Sequence, residues 1–373
     1  MLTIETYNAS ESLATDKLGL RAAQAYSPAT FEDLNYPVRV NEMTQLLRYV
    51  DTMHETSDGK YFDKAQFQYS KAEGKTISHV AQVATDLTEQ AFGKRIRPWM
   101  APFGAVPTFR IIEAFKKQTK SDKLRVLEIG PGSGYLGALL IERGFDYASM
   151  DNTQGFYLWQ NHLYNALAPG EVKDWASEQT LPAKWDARIN HVAWWQWAGL
   201  DQHSTLDCDV IVCDHALGEF HPIALRHTLR VIRNILKGDG PKLFFFTSPG
   251  REHYSDINAI GRACIQSGME LLFYKGFFGF TVPESSLSQY AIRSDHAFKT
   301  HFEFKIKRLF SPLRSGLGGS SLEDLELRIP PVDHKSGDPM IGGAEIIPLN
   351  KDEEPIDYPF LKMAGFKSPM DIV

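Results

Sequence analysis

Residues spaced to grip a ligand sit together in one stretch, Leu124-Arg-Val-Leu-Glu-Ile-Gly-Pro-Gly-Ser-Gly-Tyr-Leu-Gly137. An apolar strand pattern (Val126, Leu127, Ile129) runs into three alternating glycines, Gly130, Gly132 and Gly134, and a helix pattern follows at once. Glycines at such a junction allow a sharp turn and a close backbone approach, because no Cβ is in the way. The helix behind them points its free N–H groups at that ligand. Seventeen residues past Gly134, a second short strand pattern from Tyr147 to Met150 ends in Asp151. A carboxylate there can accept hydrogen bonds from both hydroxyls of a ribose. The chain therefore offers a nucleoside-shaped site at the carboxyl ends of two parallel strands.

Gly132-x-Gly134-x-x-Gly137 also satisfies the dinucleotide fingerprint, a weak signal when alone. Glu128 argues against that ligand. It lies inside the strand, two residues before the first glycine, where dinucleotide folds carry an apolar residue. Read from Glu128, the pattern Glu-x-Gly-x-Gly-x-Gly resembles motif I of the class I S-adenosylmethionine-dependent methyltransferases. The resemblance implies a ligand without pyrophosphate, whose cationic methionine end is helped by the acid at Glu128. It places Tyr135 over that end and Asn152, beside Asp151, at the ribose or the adenine edge. A nicotinamide or flavin oxidoreductase and a non-catalytic binding protein are the competing readings.

Methyl transfer is an in-line displacement in which the protein excludes water, aligns the nucleophile and, for a hydroxyl, removes a proton. The base should come from the strand ends where ligands lie. The fourth strand pattern delivers Asp214-His-Ala-Leu-Gly-Glu-Phe-His-Pro222, with four ionisable side chains in eight residues. His215 is the first choice for general base, because neutral imidazole titrates near working pH. His221 and Glu219 orient it or replace it. The resemblance extends to small-molecule O-methyltransferases with a catalytic His at this place, although the order of residues around it differs. In the competing reading Asp214 and His215 hold the cofactor's methionine end and His221 caps the next helix. His253, after the fifth strand, is a second-rank base. Metal-dependent relatives use an Asp-Asn pair after that strand, where this chain has Ser248-Pro249, so no metal is expected. The Asn/Asp-Pro-Pro-Tyr/Phe motif of amide and exocyclic-amine methyltransferases is not matched by Asp214-His-Ala-Leu. In Ala193-Trp-Trp-Gln-Trp197, Trp194 or Trp195 could stack on adenine and Gln196 could reach its amino group, or the indoles could fill the core.

The positioning elements follow from periodicity. Residues 1–105 read as a helical lead-in, with Asn41 placed to cap one helix, Thr76 placed to cap a second and Gly93 placed to stop it. From 106 to 310 helices and strands alternate. Val210-Ile-Val-Cys213 is apolar throughout, as a strand covered on both faces should be. Phe302, Phe304 and Ile306 alternate with Glu303, Lys305 and Lys307, which reads as a late antiparallel strand. The expected fold is α/β, a doubly wound, seven-stranded Rossmann-like sheet, and the resemblance covers about residues 107–310. Residues 276–300 read as an insertion. There Phe277, Phe278 and Phe280 suit a wall for a small organic substrate or a homodimer contact. Arg95 and Arg97 face an anionic substrate group or water. Residues 311–373, rich in Pro, Gly and Ser, read as a C-terminal arm.

Composition narrows the partners. The 373 residues carry a net charge of −6, and Arg and Lys form no dense run, which disfavours a nucleic-acid backbone. No apolar run approaches a membrane span, and the first residues lack a secretory pattern. Three cysteines, Cys208, Cys213 and Cys264, read as small buried hydrophobes of a reducing, cytoplasmic setting. The resemblance and the residues together point to S-adenosylmethionine-dependent transfer to a small molecule at a hydroxyl, with a sugar or other secondary metabolite as acceptor. N-methylation of a peptide or amine is the alternative.

Overall fold

The computed structural model describes residues 2–26, 39–53, 70–98, 102, 105–178, 180–182, 184–201, 204, 206–214, 216–238, 240–246, 257–273 and 278–291. The strand patterns around the glycine segment build the centre of one sheet. Strands β1 (Arg125–Ile129), β2 (Asp146–Asp151), β3 (Val172–Asp174), β4 (Ile189–Ala193), β5 (Val210–Cys213), β6 (Leu243–Phe246), β7 (Glu270–Phe273) and β8 (Phe278–Thr281) stand in the order β3-β4-β2-β1-β5-β6-β8-β7. All neighbours are parallel except β8, which runs antiparallel to both β6 and β7. β1 is the first strand laid down, and the chain builds away from it on both sides. That makes the gap between β1 and β5 the topological switch point, where ligands of doubly wound sheets lie.

The helices are α1 (Ile4–Leu18), α2 (Leu20–Tyr26), α3 (Met43–Met53), α4 (Lys71–Phe92), α5 (Val106–Thr119), α6 (Tyr135–Glu142), α7 (Gln154–Leu167), α8 (Trp194–Ala198), α9 (Pro222–Ile235) and α10 (Ile257–Gln266). Pro222 opens α9 at a position where its missing N–H is not needed. The helical lead-in is seated on the sheet domain. α4 packs against α6 and α7, α3 against α7, and α1 against α8. The seams are specific. A Cβ on Gly155 would come within 2.6 Å of the Tyr49 ring, so only glycine lets α3 approach α7 this closely. Glu73 takes two hydrogen bonds from Arg110, at 2.6 and 3.0 Å, joining α4 to α5. At the other edge, Val40 and the Gln154 side chain exchange two hydrogen bonds at 2.9 and 3.0 Å.

Several expectations are corrected. The α4 helix starts at Lys71 under a capping box made by Ser70 and Glu73. Thr76 lies inside that helix, its hydroxyl donating to the Ala72 carbonyl at 3.1 Å, while Gly93 ends it in the left-handed region as expected. An antiparallel strand among the described residues, Phe278–Thr281, lies inside the segment read as an insertion. Its Phe278 ring stacks on Phe246 at 5.2 Å and its Phe280 ring on Phe244 at 6.2 Å, so both rings fill the sheet's core instead of walling a substrate. Among the described residues the sheet has eight strands, two of them unforeseen, β3 beside β4 and β8 between β6 and β7. The strand expected at residues 302–307 and the arm at 311–373 lie outside the described residues. Cys208, Cys213 and Cys264 are free and buried. Burial pushes the Cys208 thiol up to about 12. No helix among the described residues is long and apolar enough to cross a membrane.

Candidate functional site

The turn after β1 follows from its sequence. Gly130, Gly132 and Gly134 have φ of 67°, 55° and 77°, a region that costs residues with a Cβ. Space is as restrictive as conformation. A Cβ on Gly130 would fall 2.3 Å from the Ala216 Cβ, and one on Gly134 would fall 2.8 Å from the Tyr164 hydroxyl. The turn is thus wedged between the segment after β5 and helix α7. The N–H of Gly130 is tied to the Met150 carbonyl of β2 at 2.8 Å.

Three carboxylates surround this turn. Glu128 and Asp151 are each 2 % exposed. Glu128 accepts from the Tyr147 hydroxyl at 2.6 Å and from the backbone N–H of Gly137, so it sits beneath the turn at the start of α6. Burial pushes its carboxyl up to about 8. The Tyr147 bond opposes the rise, while the fields of Asp214 and Asp151 add to it. Asp151 is pushed up to about 6 by burial, against hydrogen bonds from Thr153, Gln160, Gly132 and Asn152. Asp214, past β5, accepts from the Thr108 hydroxyl at 3.0 Å. No cation is paired with Glu128 or Asp151 in these bonds. Three carboxyl groups close to one turn disfavour a pyrophosphate, and the N–H groups of Gly130, Gly132 and Gly134 are already given to Met150 O, Asp151 Oδ2 and Pro131 O.

Asp151 departs from the sequence reading in one respect. Its Oδ1 accepts from Thr153 N at 2.8 Å, and its Oδ2 accepts from Gly132 N at 3.2 Å and from Gln160 Nε2 at 2.8 Å. With the Asn152 N–H as a fourth donor, the roughly four acceptor sites of a carboxylate are filled. In this conformation Asp151 braces the turn and does not offer both oxygens to a ribose. Its neighbour Asn152 does reach the cavity. A narrow open crevice lies there, lined by Gly130, Met150, Asn152, Thr153, Ala216, Glu219 and Phe220. It opens at the carboxyl ends of β1, β2 and β5, where the sequence placed it.

The lead-in borders this crevice. The Tyr26 carbonyl at the end of α2 accepts from Asn152 Nδ2 at 3.1 Å, and the Tyr26 ring meets Phe220 edge-on at 6.2 Å. Leu200 O accepts from His227 Nε2 at 2.8 Å, so His227 Nδ1 is the acceptor for the Tyr26 hydroxyl at 2.5 Å. Helix α2 is therefore clamped between β2 and α9.

The expected site residues divide. Glu128, Gly130, Gly132, Gly134, Asp151, Asn152, Asp214 and Glu219 are gathered around the turn or its crevice. Tyr135, first residue of α6, is buried and is not part of the crevice lining. His221 caps α9, its Nδ1 accepting from Ile223 N at 3.2 Å, which is the capping role weighed above. Trp194 donates to Glu11 Oε1 at 2.7 Å and stacks on Tyr26 at 6.1 Å, while Trp195 donates to the Ala176 carbonyl at 3.2 Å and meets Tyr7 edge-on. Gln196 donates to the Trp175 carbonyl. These three hold α1 and the β3 segment and make none of the crevice lining. Arg95 is exposed and paired with Asp86 and Glu89. His215 and His253 lie outside the described residues.

Sequence reasoning missed Tyr147, Gln160 and His191. Glu128, Ser149 and His191 stand in register across β1, β2 and β4 and form a polar row under α6 and α7. The signal was present in β4, where Asn190 and His191 interrupt a fully buried apolar strand.

No family model matches the sequence, and no curated protein matches it. Solved structures similar in shape include a TehB-like SAM-dependent methyltransferase from Corynebacterium glutamicum ATCC 13032 Kitasato, at 17 % identity over 55 % of this chain and 98 % of that one, TM-score 0.34. Magnesium protoporphyrin IX methyltransferase from Synechocystis PCC 6803 gives 11 % identity over 57 % and 98 %, TM-score 0.33. A glycopeptide N-methyltransferase gives 13 % over 46 % and 86 %, TM-score 0.32. Likenesses at this level carry no argument about activity.

Proposed function

We propose that the chain is an S-adenosylmethionine-dependent methyltransferase acting on a small-molecule hydroxyl. One observation carries the reading, the convergence of Glu128, Asp151 and Asp214 on the glycine turn at the switch point of the sheet. The residues fit that cofactor, because a buried acidic set with no cationic partner among the bonds of Glu128 and Asp151 suits a ligand that brings positive charge. A nicotinamide dinucleotide would set two phosphates against the same acids.

When bound, the cofactor supplies a methyl group already activated by the adjoining sulfonium charge. The protein's part is placement and proton removal. Asp214 sets a negative charge at the β1–β5 gap, and Glu128, raised to about 8 by burial, joins it when a cationic ligand favours its ionised form. Gly130, Gly132 and Gly134 bring backbone close to the ligand. Asn152, on the crevice wall, serves the ribose hydroxyls, and Asp151 holds the turn to which they dock. Phe220 and the α2 clamp exclude water on the open side, which strengthens each of these interactions. The proton of the acceptor hydroxyl passes to a base on the segment after β5. His215 takes that role, with Glu219 on the crevice wall orienting it. His221, which caps α9 through Nδ1, stands second to His215 as the base.

Calorimetry with S-adenosylhomocysteine and with NADPH tests the reading. Micromolar binding of the first and none of the second is expected, and binding of NADPH alone overturns it. Screening sugars, phenols and amines with a labelled methyl donor then identifies the acceptor class.

A further inference from the structure

Gln160 of α7 is fully buried and touches the turn directly. Its Nε2 donates to the Gly132 carbonyl at 2.7 Å and to Asp151 Oδ2 at 2.8 Å. A side-chain amide has two hydrogens on nitrogen, so both are spent. Oε1 is left as an acceptor, and His191 Nε2 lies 3.1 Å from it. The ring proton of His191 must therefore sit on Nε2. Nδ1 is then bare. It is buried with no hydrogen-bond partner, and Asp174 Oδ2 at 3.9 Å is too far to supply one. Burial holds His191 down to about 3, so the ring is neutral. The ring is fixed by Tyr157, stacked on it at 3.7 Å and 12°, and by Tyr164 edge-on at 5.7 Å. Turning the Gln160 amide over would aim its oxygen at a carbonyl and a carboxylate at once.

We propose that Gln160 and His191 are positioning residues of the ligand turn: the His191 Nε2–H sets the Gln160 amide one way round, and that amide holds the Gly132 peptide and the Asp151 carboxylate in the receiving conformation. The cofactor named in the test rests on the reading above, whereas the geometry of the turn does not.

Three variants separate positioning from packing. Gln160→Met keeps the volume and removes both donors; Gln160→Leu also removes both donors, with a little less volume, should the first fail to fold. His191→Phe keeps a ring for Tyr157 to stack on and removes the donor. His191→Gln gives up the stack and keeps an N–H at about the same depth. S-adenosylhomocysteine affinity is read by calorimetry below each variant's melting transition, and exchange of the Gly132 amide is read by NMR in the unliganded protein. Loss of the bond to a carboxylate should weaken binding about tenfold or more in Gln160→Met, and loss of one neutral bond about three- to tenfold in His191→Phe. Gly132 exchange should quicken in both. His191→Gln should bind and exchange nearly as the parent does, even where it melts lower. The opposite order, with His191→Phe intact and His191→Gln impaired, would show a packing role and overturn the proposal, as would an unchanged Gln160→Met. If the parent fails to bind S-adenosylhomocysteine while the exchange pattern holds, the cofactor reading falls and the positioning role stands.

Discussion

Across β1, β2 and β4 the face beneath α6 and α7 carries Glu128, Tyr147, Ser149, Asp151 and His191, whereas β6 and β8 meet through Phe244, Phe246, Phe278 and Phe280. Both halves are buried and belong to one sheet. The aromatic half is held by area and shape, which are not directional and tolerate exchange of one apolar side chain for another of like volume. The polar half is held by hydrogen bonds whose donors and acceptors must match one for one, because an unmatched buried group costs more than a matched one contributes. The ligand turn hangs from the polar half. A site that must hold a peptide to a few tenths of an ångström is supported by directional bonds, and the rest of the sheet supplies the stability beneath it.

Substitutions that load one half only can break this contrast. The largest effect expected is Phe246→Ala, a loss of about 3–5 kcal/mol of stability from the transfer and cavity terms. Urea denaturation measures it, and cofactor affinity measured on the folded fraction should hardly change. Gly130→Ala should do the reverse. The new methyl meets Ala216 at 2.3 Å with φ at 67°, so ligand binding should fall by about two orders of magnitude or more, with a smaller loss of stability. Equal effects of both changes on binding would dissolve the contrast. His215→Ala should leave S-adenosylhomocysteine affinity nearly intact while lowering turnover by about 10²-fold. Unchanged turnover would move the base to His221, His253 or Glu219, or dispense with one.

Two smaller effects sharpen the comparison. The Glu128 carboxyl is raised from 4.5 to about 8 in the folded chain, so between those values the folded state keeps a proton that the unfolded state has released. Stability should therefore fall as pH rises from about 4.5 to about 8, in the same sense as Asp151 and Asp174, both raised to about 6. Glu128→Gln should flatten the upper part of that slope in urea midpoints taken across pH. A cationic ligand favours the ionised carboxylate, so affinity should rise over the same upper range with proton release, which calorimetry in buffers of different ionisation heat detects. Smallest is Ser70→Ala, which removes a cap far from the turn. It should cost about 1 kcal/mol in denaturation and leave binding unmoved.

The parts legible in the sequence were those that repeat or punctuate. Apolar runs gave β5 and β6, and the glycines gave the turn and the end of α4. The parts missed have physical reasons. β3 is three half-buried residues, Val172-Lys-Asp174, with no apolar pattern to mark it. Phe278-Gly-Phe280 alternates like a strand, yet its aromatic content was read as a ligand wall, and no local property of the segment says that Phe244 and Phe246 are its partners. Asp151 was found as an acid at a strand end, but its bracing role depends on Gln160, nine residues on and on the next helix, whose amide no spacing rule brings to Gly132. His221 shows the opposite limit, since an ionisable side chain just before a Pro-led helix reads equally as a base and as a cap.

The Tyr26 clamp has a practical side. Trimming the chain back to the sheet and its own helices would take away α1 and α2, and with them the covers over the Trp194 and Trp195 indoles and the Phe220 ring. Three aromatic surfaces would then face water beside the crevice, and Asn152 would lose the carbonyl that holds it. Such a fragment should be sticky and prone to self-association, so α1 and α2 belong to the folding unit of the sheet.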